Sequence, residues 1–212
     1  MKEAYWPLGL SAGICIHDEV LDARMCADII QFFEDNPELS FEGRTFGGIM
    51  PDIKLSVDSY IDRTLGSASD EQRQVLGAWE DTILEQYGTV LREYTSFYDA
   101  LDQSWTNRID SGYQYQRYLK GTGFYATHID GAPYLENDGS KRVLASVMYL
   151  NTVDVGGGTR FELHDYTCDA LVGRVVTFPA TFLHRHGGLV PESSDKSIIS
   201  TFVCVPQPTH DH

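Results

Sequence analysis

The chain has 212 residues, 42% of them hydrophobic and 12% aromatic, which suffices for one domain with a substantial core. The formal net charge of -15 argues against nucleic-acid binding and against an anionic membrane surface, since both require basic protein surface. The four cysteines form no CxxC pair, so a zinc ribbon and a disulfide framework are not expected. With no run typical of a signal peptide or a membrane span, a cytoplasmic protein with buried free thiols is expected.

Helices are the main elements predicted for residues 1–104, after a short strand around residues 14–16. Asp22 is suited to cap a helix whose apolar residues recur along one face. A second helix is predicted to start between Ser67 and Asp70 and to end at Gly88. Two further helices are predicted, and they cover residues 58–65 and 90–98.

The glycine-rich segment 40–54 is predicted to be a loop. Active-site loops often have this composition, but so do loops without a function. The segment is therefore a candidate lid over a peptide groove, and the sequence leaves its role open.

Strand patterns dominate from residue 105 onward. Short segments rich in β-branched and aromatic residues alternate with glycine-containing turns. The predicted strands cover residues 113–119, 124–130, 142–151, 159–163, 173–179 and 197–205. The expected fold is α+β and mainly β, with a jelly-roll (double-stranded β-helix) core. We expect one domain over residues 1–212, in which residues 1–104 support a core of residues 105–205.

One carboxylate and two histidines stand out within the predicted core. His128 and Asp130 are one residue apart on a predicted strand, so their side chains point to the same face. His186 follows later in the chain, and Lys196 immediately precedes the last predicted strand. Two imidazoles and one carboxylate on one side of a metal form the facial triad of non-heme Fe(II) oxygenases. A nearby lysine is suited to a dicarboxylate co-substrate, although any isolated His-x-Asp is more often structural.

The order of further residues around this set is more specific than the set alone. The relevant residues are Arg117-Tyr118, His128-Ile129-Asp130, Tyr149-Leu150-Asn151, Gly157-Gly158, Phe161, Gly173, Phe178, His186 and Lys196. This succession resembles the 2-oxoglutarate- and Fe(II)-dependent dioxygenases, specifically their prolyl 4-hydroxylase-like branch. The resemblance covers residues 113–205. One departure is Phe202, which stands where the family usually has tryptophan.

The resemblance implies that His128, Asp130 and His186 are the iron ligands. It also implies that Lys196 binds the distal carboxylate of 2-oxoglutarate. An ammonium group there compensates a buried anion that would otherwise be costly to desolvate. No catalytic residue beyond the metal ligands is implied.

Three further residues are candidates for the 2-oxoglutarate pocket. Tyr118 and Tyr149 match positions at which the family places phenols in that pocket, although core packing explains a buried tyrosine equally well. Ser200 lies on the same strand face as Lys196, where its hydroxyl can add a hydrogen bond.

His184 competes with His186 for the third ligand position, because residues two apart on a strand share a face. The spacing from His186 to Lys196 and the following Gly187-Gly188 fit the family better. We therefore predict that His186 is the ligand and that His184 lies beside the metal site or faces the substrate.

The function implied by the resemblance is hydroxylation of a substrate C–H, with release of succinate and CO2 from 2-oxoglutarate. The implied cofactors are Fe(II) and 2-oxoglutarate, with ascorbate as a further requirement in relatives. A prolyl residue of a peptide or protein is the first candidate substrate. The same chemistry on a free amino acid or another small molecule, a non-catalytic binding module, and a zinc hydrolase remain alternatives. The sequence does not indicate an oligomeric state.

Overall fold

A computed structural model describes residues 2–45, 47–98, 112–131 and 140–205. Two α-helices precede most of the strands in the chain, α1 at Ala23–Asp35 and α2 at Asp70–Ser96. The strands are β1 Cys15–His17, β2 Phe41–Glu42, β3 Lys54–Leu55, β4 Val57–Ile61, β5 Tyr113–Tyr118, β6 Phe124–His128, β7 Lys141–Tyr149, β8 Thr159–Phe161, β9 Tyr166–Cys168, β10 Val175–Pro179, β11 His186–Gly188 and β12 Lys196–Val205. Short 3-10 helices lie at Leu10–Ala12, Pro37–Leu39 and Phe182–His184.

The strands form two antiparallel sheets. The major sheet has the order β1-β10-β7-β12-β5-β4-β2, and the minor sheet has the order β3-β6-β11-β8-β9. Strands distant in sequence are therefore neighbours, as in jelly rolls. The predicted α+β, mainly β, jelly-roll class is confirmed.

The side chains of β12 alternate between an apolar core on one face of the major sheet and a cavity on the other face. Ile199 and Val203 point to the helical side of the major sheet, where the larger apolar cluster lies. Lys196, Ile198 and Ser200 point to the other face and line a cavity between the two sheets. Because successive strand residues face opposite ways, a single strand supplies both the packing and the cavity wall.

The helices cover the outer face of the major sheet. The predicted cap is confirmed, because the Asp22 carboxylate accepts hydrogen bonds from the backbone N–H groups of Arg24 and Met25. On α1, the Phe33 ring stacks on Tyr115 of β5 with 4.4 Å between the centroids. On α2, the Tyr87 hydroxyl lies 2.7 Å from Ser146 Oγ of β7. These contacts fix both helices against the sheet that carries the cavity.

The prediction that a helix ends at Gly88 and another begins at residue 90 is wrong, because α2 continues unbroken to Ser96. Tyr87, Val90, Leu91 and Tyr94 are all buried against the sheet. Their burial outweighs the cost of about 1 kcal/mol that a glycine adds in a helix interior.

The N-terminal part of the chain contributes strands as well as helices. The helix predicted for residues 58–65 is wrong, since β4 occupies the first half of this segment and pairs with β5. The side chains of Asp58 and Ser59 are buried, and Asp58 forms an ion pair that sequence periodicity does not reveal. The predicted loop 40–54 is confirmed for its middle, while β2 and β3 occupy its ends.

The four cysteines are free and buried, as expected. Within the described parts of the chain, no helix has both the length and the apolar character needed to cross a bilayer.

Candidate active site

Strands β6 and β11 bring together the three side chains predicted to bind metal. In the antiparallel register His186 lies directly opposite His128. The Nε2 atoms of His128 and His186 lie 3.4 and 3.3 Å from the two carboxylate oxygens of Asp130. Within the described ranges these three form the only cluster of potential ligand atoms within 4.8 Å of one another.

Backbone carbonyls orient both imidazoles. Nδ1 of His128 lies 2.9 Å from the Ala126 carbonyl oxygen, and Nδ1 of His186 lies 2.9 Å from the His184 carbonyl oxygen. Each Nδ1 therefore carries the donated proton, and each Nε2 lone pair points to the centre of the cluster. This is the tautomer that a metal ligand requires.

The charges of the cluster also suit a divalent cation. Burial by itself raises the pKa of the Asp130 carboxyl. The imidazoles of His186 and His128 outweigh this effect and hold the pKa well below its usual range. Burial lowers the pKa of His186, and the Asp130 carboxylate offsets only part of this effect. A carboxylate with two imidazole nitrogens fits Fe(II) and leaves coordination positions open for other ligands.

The cluster opens into a cavity of about 1040 Å³ between the two sheets. Strands β5, β7 and β12 form one wall, and β3, β6, β8 and β11 contribute to the other. Such a volume lies at the upper end of the range for small-molecule sites. The cavity therefore has room for more than a small dicarboxylate.

Lys196 projects into this cavity from the start of β12. Its side chain is 1% exposed, and no carboxylate in the described ranges forms a salt bridge with it. Its Nζ lies 4.3 Å from the Tyr118 ring centroid, and a Cβ at Gly188 would come within 3.1 Å of Nζ. Burial lowers the pKa of Lys196 to about 7. An uncompensated buried amine facing a cavity is suited to an incoming anion.

Tyr118 and Ser200 line the cavity beside Lys196, at the predicted positions. The Tyr118 hydroxyl donates a hydrogen bond of 2.6 Å to Gln116 Oε1. Gln116 Nε2 donates to Ser200 Oγ at 2.9 Å and to Gln114 Oε1 at 3.0 Å. These groups form one connected polar surface next to the lysine.

The Tyr149 side chain does not line the cavity, contrary to the expectation from the family resemblance. It is absent from the cavity lining formed by the described residues and belongs to the apolar cluster between the sheets. Its hydroxyl lies 2.6 Å from Thr159 Oγ1 and also donates to the Cys168 carbonyl oxygen. With the phenol satisfied by these partners, its contribution is to hold Thr159, which does line the cavity.

His184 takes no part in the cluster. Its Nε2 lies 2.7 Å from the Ala12 carbonyl oxygen, and its Nδ1 lies 2.9 Å from Thr181 Oγ1. Both ring nitrogens are therefore occupied by the N-terminal segment and by its own turn. His184 does not line the cavity, so the expected substrate-facing position is not supported.

Sequence reasoning missed two residues that support the cluster. The Tyr125 ring stacks on the His128 imidazole, with the centroids 3.7 Å apart and the planes inclined by 17°. Lys54 Nζ lies 5.3 Å from that tyrosine ring and 2.6 Å from Asp58 Oδ2. Tyr125 precedes the His-x-Asp motif and could have been noticed, but nothing local marks Lys54.

Residues 113–204 match the model of the 2OG-Fe(II) oxygenase superfamily. Over these residues the chain carries the sequence pattern of that superfamily. The matched segment contains the clustered triad and Lys196, so the oxygenase family accounts for the donor set described above. A search of curated protein sequences finds no significant match.

Several solved structures share the fold of this chain. A viral collagen prolyl hydroxylase from Paramecium bursaria Chlorella virus-1 is 16% identical with a TM-score of 0.62, over 91% of this chain and 96% of the viral one. A Pseudomonas putida prolyl-4-hydroxylase is 18% identical with a TM-score of 0.60, over 92% and 94%. A Trichoplax adhaerens prolyl hydroxylase, solved with a hypoxia inducible factor peptide fragment, is 15% identical with a TM-score of 0.63, over 91% and 84%. The prediction of a 2-oxoglutarate-dependent dioxygenase with a prolyl hydroxylase-like fold is confirmed.

Proposed function

We propose that the oxygenase hydroxylates a prolyl residue of a peptide or protein, using Fe(II) held by His128, Asp130 and His186. The observation that carries this proposal is the presence of the triad and the buried Lys196 in one cavity. Iron with 2-oxoglutarate supplies the oxidising chemistry when bound, and the co-substrate leaves as succinate and CO2. The chain contributes ligand geometry, binding and a shielded site.

Lys196 is the proposed partner of the distal carboxylate of 2-oxoglutarate. The buried amine lines the cavity, and Tyr118 and Ser200 contribute hydroxyls to the same lining. Burial keeps the Tyr118 phenol protonated, because its pKa is raised well above the usual value. The phenol therefore keeps its single O–H donor, which would have to turn from Gln116 Oε1 to reach a bound carboxylate.

The support for a prolyl substrate is similarity alone. The three similar structures named above are prolyl hydroxylases, and one of them was solved with a peptide fragment. The cavity volume also leaves space beyond the co-substrate for a substrate side chain.

Succinate formation by protein reconstituted with Fe(II) without oxygen and then exposed to O2 tests the proposal. The reaction is compared with and without proline-containing peptides, and a His128→Ala variant is the control. Turnover that rises with peptide, yields hydroxyproline and vanishes in the control supports the proposal. A reaction with ascorbate omitted tests its proposed use as a reductant for oxidised iron.

Two other results have defined meanings. Slow succinate formation that no peptide accelerates would favour a free amino acid or another small-molecule substrate. An iron-loaded protein with no turnover at all would favour a binding module.

A further inference from the structure

The charges around the cavity are opposite to those of the whole molecule. The chain has 16 lysines and arginines against 31 aspartates and glutamates. Among the described residues that line the cavity, the acidic side chain is Asp130 of the triad, and the basic ones are Arg44, Lys54, Arg142, Arg185 and Lys196. A basic cleft on an acidic protein attracts anions to that place and repels them elsewhere.

Both cavity lysines already have a role. Lys54 is paired with Asp58 at 2.6 Å, and both side chains are buried. Lys196 is the proposed partner of the co-substrate. Neither lysine accounts for the arginines that line the same cavity.

Arg44 and Arg185 are the exposed cations of the lining. The Arg44 guanidinium lies 5.6 Å from the Phe41 ring centroid. Arg185 Nη2 lies 3.8 Å from Glu162 Oε2, a long contact between side chains that are 49% and 44% exposed. Such an exposed pair contributes little, so the Arg185 guanidinium can exchange this partner for a substrate carboxylate.

These two arginines lie on opposite sides of the strand that carries His128. Arg44 follows Gly43, whose backbone N–H donates to the Ser56 carbonyl oxygen directly after β3, and β3 pairs with one edge of β6. Arg185 immediately precedes β11, which pairs with the other edge of β6. Neighbouring strands are about 5 Å apart, so a ligand that meets both arginines must extend about 10 Å across the triad. An extended chain with several carboxylates meets this requirement better than a small acid.

We infer that the substrate of this oxygenase is an acidic polypeptide segment, with carboxylates on both sides of the reacting residue held by Arg44 and Arg185. The inference rests on the proposed function for the identity of the reaction, and it adds the class of sequence that is recognised. Guanidinium groups form bidentate pairs with carboxylates, which fixes the direction of the bound chain as well as its affinity.

The test uses three fluorescein-labelled peptides that are identical except for the residues flanking a central proline, which are glutamates, glutamines or lysines. Binding to the iron-free protein with 2-oxoglutarate is measured by fluorescence anisotropy, and hydroxylation by the Fe(II)-loaded protein is measured by mass spectrometry. We expect the glutamate peptide to bind about tenfold more tightly than the glutamine peptide at low salt, with the difference shrinking as salt increases.

Charge-swap variants identify the residues responsible. Arg44→Glu and Arg185→Glu should each weaken glutamate-peptide binding about fivefold and strengthen lysine-peptide binding. Arg24→Glu, on the exposed start of α1, changes the net charge equally and should leave both affinities unchanged. The gain with the lysine peptide shows that the variants remain folded.

The outcomes separate this inference from the proposed function. Equal binding and hydroxylation of all three peptides would overturn the inference and leave the function intact. Equal effects of the Arg24 and Arg44 variants would also overturn it. Charge-selective binding without any hydroxylation would support the acidic-peptide site and count against prolyl hydroxylation.

Discussion

The two histidines near the start of β11 differ in what their ring nitrogens contact. Nε2 of His186 is free to face Asp130, whereas Nε2 of His184 already contacts the Ala12 carbonyl oxygen. His186→Ala should therefore lower iron affinity by at least about tenfold, and His184→Ala should retain most of the iron. The iron content of each variant after anaerobic reconstitution tests these two expectations. Retention of iron in His186→Ala with loss in His184→Ala would reverse the assignment.

The proposed pairing of Lys196 with 2-oxoglutarate predicts a defined pH dependence of binding. Burial lowers its pKa to about 7 in the unliganded protein, so the amine is charged below that pH and neutral above it. A carboxylate partner favours the ammonium form, and binding above pH 7 must take up a proton. The affinity should weaken by up to about tenfold per pH unit above 7 and level off below it. Calorimetry in buffers of different ionisation enthalpy measures the proton uptake.

Lys196→Arg provides the matched control, because a guanidinium remains charged throughout this range. The variant should lose proton uptake even if its affinity is lower. An unchanged pH dependence would assign the titration to another group.

At the scale of elements, the β3–β4 connection depends on a buried ion pair. Asp58 accepts hydrogen bonds from Lys54, Ser56 and Gln114, and it is fully buried. Asp58→Ala leaves the Lys54 ammonium buried without its partner and should destabilise the protein by about 3–5 kcal/mol. Urea unfolding measures this loss. The double variant Lys54→Met/Asp58→Ala should recover a large part of it, and failure to do so would assign the effect to packing.

Helix α2 contains two glycines whose surroundings differ. A Cβ at Gly88 would meet only Arg92 Nη1 at 3.5 Å, whereas a Cβ at Gly77 would lie 3.2 Å from the Arg63 Cβ. Gly88→Ala should therefore stabilise the protein by about 0.5–1 kcal/mol, and Gly77→Ala should gain less or lose stability. Thermal unfolding compares the two, and an equal gain would contradict the steric argument.

At the scale of the molecule, a metal held by His128, Asp130 and His186 would link β6 to β11 and stabilise the whole fold. A divalent ion at about 100 times its dissociation constant adds about 2.7 kcal/mol to the unfolding free energy. For a chain of this size the melting temperature should rise by about 5–10 °C. Mn(II) without oxygen is a suitable probe, since it avoids turnover. Asp130→Ala should lose the shift, and a shift that survives this substitution would place the metal elsewhere.

The sequence was most informative where the chemistry is local. His128 and Asp130 share a strand, and the order of motifs around them was sufficient to select His186 and Lys196. Lys54 and Arg44 reach the same cavity from the N-terminal part of the chain, and only the pairing of β3 with β6 places them there. The sequence also did not reveal β4. Its polar and apolar residues alternate only weakly, and it forms a strand because it pairs with β5.

Tyr149 and Gly88 show how packing overrides local expectations. Family position alone placed the Tyr149 phenol in the cavity, but hydrogen bonds with Thr159 and the Cys168 carbonyl hold it outside the lining. A glycine such as Gly88 often ends a helix, but the buried residues on one face of α2 stabilise the helix beyond it.

Strand β12 lies between β5 and β7, although it is the last strand of the described chain to be synthesised. On the ribosome, β5 and β7 emerge earlier and cannot complete their native pairing until residues 196–205 have left the exit tunnel. Until then both strands expose unpaired edges, which are sites of misassociation. The lysine that would receive the co-substrate arrives with this same strand. A nascent chain therefore cannot form the complete cavity before its sheet is closed.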